Sequence, residues 1–301
     1  MEYIVEMKQV SKVFKDKRAV DDVSFRIAKG SITAILGPNG AGKTTSLSMM
    51  LGLMEPTNGS VLLFGQRPAS PETRVKTGAM LQEVSVMDKL KVKEIIALFR
   101  SYYPNPMAED KLYALTGLAA GDLNRYAEKL SGGQKRSLGF ALALAGDPEL
   151  LFFDEPTVGL DVTARKRFWD QVRQLATQGK TVVFTTHYLQ EAEDIADRVL
   201  LFNRGALAAD GSPEQIKARL LKRSVSCIPL EGFDALRSRL GGLPGVTQCE
   251  LKDGRAYIMS DDTDKTLAAL LAGGYKVRDV QTHQGRLEEA FEQLITEQEG
   301  A

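Results

Sequence analysis

The sequence has little of what would mark a zinc-binding, disulfide-stapled or membrane-embedded chain. Its 301 residues include two cysteines and two histidines. Cys227 and Cys249 lie far apart, with no His or Cys neighbour at ligand spacing. That excludes a zinc knuckle and a disulfide framework and leaves two reduced thiols, which fit a cytosolic protein. Long apolar runs are also missing. Phe140 to Gly146 and Leu150 to Phe153 fall well short of the ~18 to 20 residues that a spanning helix needs. The chain is therefore expected not to cross a membrane by itself. The first residues, MEYIVEMKQV, carry two acids and no apolar stretch behind a basic start, unlike a secretory signal. Charge of one sign is not in excess either: 39 basic residues balance 39 acidic ones. A whole-chain footprint for nucleic acid is absent, and mixed stretches such as Lys12 to Arg18 read as solvated faces. There is no low-complexity tract and no internal repeat, so one copy of the main module is expected.

What is present is ordinary globular material, 43% hydrophobic and 26% charged. Tyr3-Ile4-Val5 and Val20 to Ile27 read as strands around a Lys15-Asp16-Lys17 turn. Ser31 to Leu36 is a short apolar run, followed by a Gly-rich loop and a helix over Thr44 to Leu53. Glu55 to Gly59 reads as a turn and Ser60 to Phe64 as a strand. Residues 89 to about 128 have helical spacing broken by Pro104-Asn105-Pro106, and Ser131 to Ala145 is a further helix. Leu150 to Phe153, Thr181 to Thr185 and Arg198 to Phe202 are strands separated by helices over Val162 to Thr177 and Leu189 to Asp197. This alternation predicts a largely parallel sheet covered on both faces. Beyond Gly211-Ser212-Pro213 the pattern changes. A helix from Pro213 through Leu221 precedes a separate α+β set: strands at Val225 to Leu230, Thr247 to Met259 (paired around Asp253-Gly254) and Lys276 to Thr282, and helices at Phe233 to Leu240, Thr263 to Leu271 and Leu287 to Ile295. The expected domains are 1–220, with a helical subdomain at about 89–140, and 221–301.

Three motifs carry chemistry. Gly37-Pro38-Asn39-Gly40-Ala41-Gly42-Lys43-Thr44 fits G-x-x-x-x-G-K-[ST]. Its glycines let successive N–H groups cradle phosphate oxygens. Lys43 brings a positive charge to the β- and γ-phosphates, and the Thr44 hydroxyl is suited to ligate Mg²⁺. The run Leu150-Leu151-Phe152-Phe153 ends in Asp154-Glu155, two carboxylates at a strand's C-terminal edge, where ligands bind in open α/β sheets. Asp154 is expected to hold Mg²⁺ through water, and Glu155 to polarise the attacking water. Leu130-Ser131-Gly132-Gly133-Gln134 opens a helix, so its backbone N–H groups form a second anion site, one without a lysine.

That last motif, between the other two, resembles the signature of ABC transporter nucleotide-binding subunits. The resemblance spans roughly residues 3 to 220. It implies an α/β fold, a P-loop NTPase ABC cassette with a mainly parallel sheet core, an N-terminal antiparallel β subdomain and a helical subdomain, here with a small C-terminal α+β domain added. It implies ATP hydrolysis with Mg²⁺. Gln82 in GAMLQE matches the glutamine that contacts Mg²⁺ and the membrane partner. Asp161 in Gly159-Leu160-Asp161 matches the D-loop, and His187 in FTTHYL the histidine that reads the γ-phosphate. Phe14 matches the aromatic that stacks on adenine, where Tyr is commoner, and Thr45 completes the nucleotide-contacting set. Val162 and Lys91 depart from the usual Pro and Thr. His283 matches nothing and is expected at the surface. In this family two cassettes meet head to tail, so Ser131 and Gly133 of one chain face the phosphates held by the other. The implied assembly is a homodimer bound to a separate transmembrane permease, peripheral on the inner face of the cell membrane, with no nucleic acid partner. GPNGAGKTT, EKLSGGQKR and DEPTVGLD, together with Leu287-Glu288-Glu289-Ala290-Phe291, resemble ABC-2-type exporters of the daunorubicin-resistance kind. An importer subunit, or an ABC ATPase acting as an assembly factor or regulator, stays open as an alternative.

Overall fold

A computed structural model describes residues 2–82, 87, 89–220, 224–240, 245–283 and 287–291. The chain divides into two compact units, Met1–Ser212 and Pro213–Ala301.

The first unit begins with two long strands, β1 (Tyr3–Phe14) and β2 (Lys17–Ala28). They form a bulged antiparallel hairpin. Alternate residues of β2, from Val23 through Phe25 to Ile27, turn into the core, as a half-buried strand requires. Next come β3 (Ile32–Leu36), α1 (Lys43–Met50), β4 (Asn58–Leu63), α2 (Pro71–Val75) and β5 (Thr77–Met80). Strand β4 joins β1, giving a three-stranded antiparallel sheet in the order β2-β1-β4. Three helices follow: α3 (Val92–Ser101), α4 (Glu109–Thr116) and α5 (Gly132–Ala143), which pack on one another.

The remainder alternates β6 (Leu150–Asp154), α6 (Val162–Thr177), β7 (Thr181–Thr185), α7 (Leu189–Ile195), β8 (Arg198–Asn203) and β9 (Ala206–Gly211). These strands join β3 and β5 in a six-stranded sheet ordered β5-β6-β7-β3-β8-β9. Its first five strands are parallel and β9 is antiparallel to β8. Strands β3, β6 and β7 are buried along their whole length, the mark of a sheet covered on both faces. Beneath β6 and β7 an aromatic cluster ties the helices down. The Phe140 ring of α5 lies 5.0 Å from Phe168 of α6, Phe153 lies 5.5 Å from Phe168, and Trp169 lies 4.6 Å from Phe184.

The sequence pattern missed β5 and β9. Strand β5 is four residues with a glycine among them, and β9 is a run of alanines and one leucine without apolar–polar alternation or a β-branched or aromatic residue. Strand β1 continues to Phe14, so Lys12 is a strand residue and the solvated turn is confined to the residues after it.

The second unit contains α8 (Pro213–Leu220), β10 (Ser224–Pro229), α9 (Phe233–Leu240), β11 (Val246–Lys252), β12 (Arg255–Ser260), α10 (Thr263–Ala272) and β13 (Val277–His283). From β10 onward this is a β-α-β-β-α-β unit with an antiparallel sheet ordered β11-β12-β10-β13, the split βαβ arrangement. Its core is its own: Val225, Cys227, Leu236, Leu240, Ala256, Ile258 and Leu270. Residues 287–291 are helical, with Leu287 and Ala290 buried. Leu221, the expected helical residues 292–295 and the side chain of His283 lie outside the described residues.

Candidate functional site

Four adjacent parallel strands, β5, β6, β7 and β3, end at the same edge of the sheet. At or just beyond these ends come Gln82, Asp154 (the last residue of β6) with Glu155, His187 and the glycine-rich loop. Residues spread over more than a hundred positions of sequence are gathered because parallel strands present all their C-terminal ends together.

The loop between β3 and α1 is built on positive φ at Gly37 (151°), Gly40 (79°) and Gly42 (102°). A Cβ on Gly37 would stand 2.3 Å from the carbonyl oxygen of Phe202, and one on Gly42 would stand 2.5 Å from that of Ala19. Only glycine fits where the backbone passes this close. The Lys43 ammonium is buried at the head of the loop and donates to the carbonyl oxygens of Gly37 (2.7 Å) and Pro38 (3.1 Å). Burial lowers its pKa, and the charges of Glu155 and Asp154 act against that. The Ala41 amide donates to Pro38 (3.1 Å) and closes the turn.

Asp154 is buried and aligned with Thr185 across the β6–β7 ladder. Burial raises the pKa of its carboxyl, while hydrogen bonds from Thr185 and Thr44 favour the ionised form. Thr44, exposed in the first turn of α1, and Asp154, buried at the end of β6, supply hard oxygen donors only. Among the described residues no three His, Cys, Asp or Glu side chains are arranged to hold a metal ion by themselves. Such a donor pair fits Mg²⁺, which is held by one or two protein oxygens together with phosphates and water.

Glu155 takes φ of 46°, the left-handed region, at a non-glycine residue. Its amide donates to the carbonyl (3.1 Å) and to the hydroxyl (3.0 Å) of Thr185, which fixes this conformation. Its carboxylate lies 3.4 Å from Gln82 Nε2 and 3.4 Å from His187 Nδ1. A cavity of about 370 Å³ is lined by Phe14, Lys17, Ala19, Asn39, Gly40, Gly42, Lys43, Thr44, Thr45, Gln82 and Glu155. Phe14 is part exposed on this wall, with Lys12 Nζ 5.3 Å from its ring centre.

The signature residues stand elsewhere. Ser131 caps α5 in a reciprocal capping box: Gln134 N donates to Ser131 Oγ (3.2 Å), and Ser131 N to Gln134 Oε1 (3.0 Å). Neither Ser131 nor Gly132, Gly133 or Gln134 lines the cavity. Asp161 accepts from Ala164 N (2.8 Å) and caps α6.

Two contributors escaped the sequence pattern. Thr185 serves Asp154 and Glu155 at once. Arg136 donates to the backbone carbonyls of Glu155 (3.0 Å), Pro156 (3.2 Å) and Gln82 (3.4 Å). The only signal for either is position: Arg136 lies one helical turn into α5, and Thr185 ends the strand paired with β6.

A phosphate-cradling loop, a buried carboxylate joined to its Thr, and a second carboxylate at the mouth of the cleft define a nucleoside triphosphatase of the P-loop class. Residues 20–158 match the family model described as ABC transporter. The chain is 33% identical over 274 residues to Nod factor export ATP-binding protein I of Burkholderia thailandensis, covering 88% of this chain and 89% of that one. It is 36% identical over 258 residues to the protein of the same name from Paraburkholderia xenovorans, covering 82% and 83%. Among solved structures, an ATP-binding subunit of an ABC transporter superposes with a TM-score of 0.66 at 27% identity, over 72% of this chain and 92% of that chain. The ATP-binding cassette MJ0796, in a dimeric post-hydrolysis state bound to ADP and Pi, superposes with a TM-score of 0.64 at 26% identity, over 69% and 98%. The chain belongs to the ATP-binding subunits of ABC transporters: it binds ATP and is an ATPase. No helix among the described residues is long and apolar enough to cross a membrane.

Proposed function

We propose that this chain is the motor subunit of a membrane exporter and that it works as a homodimer with two composite ATP sites. The observation that carries the dimer is the content of the cavity. It holds the phosphate loop, Gln82 and Glu155 but none of residues 131–134. One face of the triphosphate is served, and Ser131 and Gly133 are left to serve the nucleotide of a second copy, in a C₂ arrangement. The dimeric state of a solved cassette relative supports this.

In this reading the Gly37 to Gly42 amides and Lys43 grip the phosphates, with Thr45 beside them and Phe14 against the base. Thr44 and Asp154, joined by Gln82, would hold Mg²⁺. The metal, when bound, supplies charge neutralisation at the β- and γ-phosphates. Glu155 accepts a proton from the attacking water. His187, 3.4 Å from that carboxylate, senses the γ-phosphate and orients the base. Asp161 lies at the contact with the partner copy. The partner copy's contacts to the γ-phosphate exist only in the closed dimer, so hydrolysis reopens it. A separate permease docked near Gln82 and the helices α3 to α5 converts that motion into transport, and this places the chain on the cytoplasmic face of the membrane. The division of labour we propose is a cassette over 1–220, with its helical part at about 89–140, and an accessory domain over 221–301. Two relatives named for Nod factor export, and the Leu287 to Phe291 helix at the end of an α+β module, favour an ABC-2-type exporter.

Glu155→Gln is the direct test. The variant is expected to bind ATP, lose turnover, and elute as a dimer with Mg-ATP on size exclusion. Turnover by a species that stays monomeric with ATP would refute the assignment. Mixing Lys43→Ala with Ser131→Arg chains should leave at most one intact composite site per heterodimer, and full activity of that mixture would refute shared sites.

A further inference from the structure

Glu191, on α7, is a buried carboxylate (6% exposed) that the ATP chemistry described above does not use. One of its oxygens accepts from Thr157 Oγ1 at 2.6 Å, and the other from Thr186 Oγ1 at 2.8 Å. Thr157 lies on the segment that leaves Glu155, and Thr186 immediately precedes His187. The Thr186 hydroxyl also accepts from the Tyr188 amide at 3.0 Å, so residues 186 to 188 are held as a local turn. Arg165 of α6 brings its Nε to 3.5 Å from the Glu191 carboxylate. Its guanidinium lies 4.5 Å from the centre of the Tyr188 ring, and that ring lies 4.1 Å from the His187 ring at 39°.

A carboxylate this buried is tolerated only when its charge is met and its lone pairs are used. Two hydroxyls and a guanidinium meet it here. All of these partners belong to segments that flank the proposed catalytic groups. His187 itself is 44% exposed and lies two residues beyond the end of β7, outside the sheet ladder. Its contact with Glu155 at 3.4 Å therefore needs support from elsewhere. We propose that Glu191, Arg165 and Tyr188 are positioning residues: a platform that fixes His187 in register with Glu155, through Thr186 on the backbone side and through the Arg165 guanidinium and the Tyr188 ring on the other. The proposal rests on the role assigned to His187 above. Because the phosphate loop is untouched by the platform, its loss slows turnover and leaves ATP binding intact.

The test is a set of double-mutant cycles on the full chain, reading steady-state kcat and KM for ATP. Tyr188→Leu removes the ring that Arg165 and His187 contact while keeping an apolar side chain at a half-buried position, and it is the variant least exposed to misfolding. Glu191→Gln keeps shape and removes charge. Each single variant is expected to lose about 10-fold in kcat, a factor worth about 1.4 kcal/mol, with KM within about 3-fold. In a His187→Ala background neither should cost anything further, because a positioning residue has nothing left to position. Unchanged kcat in Tyr188→Leu overturns the platform. So do losses of full size that persist in the His187→Ala background, because they report general damage. If His187→Ala itself leaves kcat unaltered, the role given to His187 fails together with the platform; if it lowers kcat while the cycles stay additive, the platform alone fails.

Discussion

At the scale of single residues, the site places charge where solvation is poor. Asp154 is the clearest case. Burial lifts the pKa of its carboxyl above the ordinary value, so the folded chain binds that proton more tightly than the unfolded chain does. Wild-type stability is therefore favoured below the ordinary carboxylate pKa and falls as pH rises through the raised one. Asp154→Asn lacks this loss. In the absence of nucleotide it should unfold at a higher temperature than wild type near neutrality, and the difference should shrink toward about pH 4, close to the ordinary carboxylate value. Thermal melts at the two pH values check this, and a variant less stable than wild type near neutrality contradicts it. The same substitution should weaken ATP turnover, because the proposed Mg²⁺ role needs the ionised carboxylate that burial disfavours. Lys43 stands in a related position. Burial lowers its pKa, and the charges of Glu155 and Asp154 oppose that shift.

At the scale of elements, the loop before α1 is set by backbone clearance. Gly37 and Gly40 both have positive φ, but their surroundings differ. A Cβ at Gly37 would meet the Phe202 carbonyl at 2.3 Å, whereas one at Gly40 meets nothing within 4 Å. Gly40→Ala is expected to cost only the left-handed backbone strain of about 1 kcal/mol. Gly37→Ala adds a backbone clash and should cost more, about 2 to 4 kcal/mol, with loss of nucleotide binding. Urea unfolding of both variants gives the ordering, and equal costs would show that β8 yields to the new methyl. Helix α5 makes a complementary case. Its serine cap and its glycines were legible from spacing, yet the residue that connects it to the segments after β5 and β6 is Arg136, whose three carbonyl partners come from two distant parts of the chain.

At the scale of the whole molecule, two units carry separate cores. The first is built on residues such as Ile35, Leu47, Phe152 and Phe202, and the second on Val225, Cys227, Ile258 and Leu270. A chain ending at Ser212 is expected to unfold in one cooperative transition and to bind ATP within about 3-fold of the full chain, a shift under 1 kcal/mol. Calorimetry and nucleotide titration test this, and a truncated chain that fails to fold would show that the second unit is needed for the first. In the second unit, burial raises the Cys227 thiol to about 11. That fits a core residue rather than a reactive one.

The sequence by itself determined the local devices. Glycines followed by Lys43 and Thr44 dictate a phosphate-binding loop because only glycine reaches those backbone angles. An apolar run ending in Asp154 and Glu155 dictates a buried strand with acids at its end. Ser131 with Gln134 dictates a capped helix. Each is a rule of neighbouring residues, and so each could be read from spacing. Tertiary structure decided what those devices meet. The β6–β7 register sets Thr185 against Asp154, and the left-handed turn at Glu155 is held by the same threonine. The order β5-β6-β7-β3 brings Gln82, His187 and the loop around one carboxylate, and Glu191 joins segments that flank it on both sides. None of this has a local signature, because strand order and ladder register follow from burying the sheet on both faces, a property of the whole core that no short stretch of sequence contains.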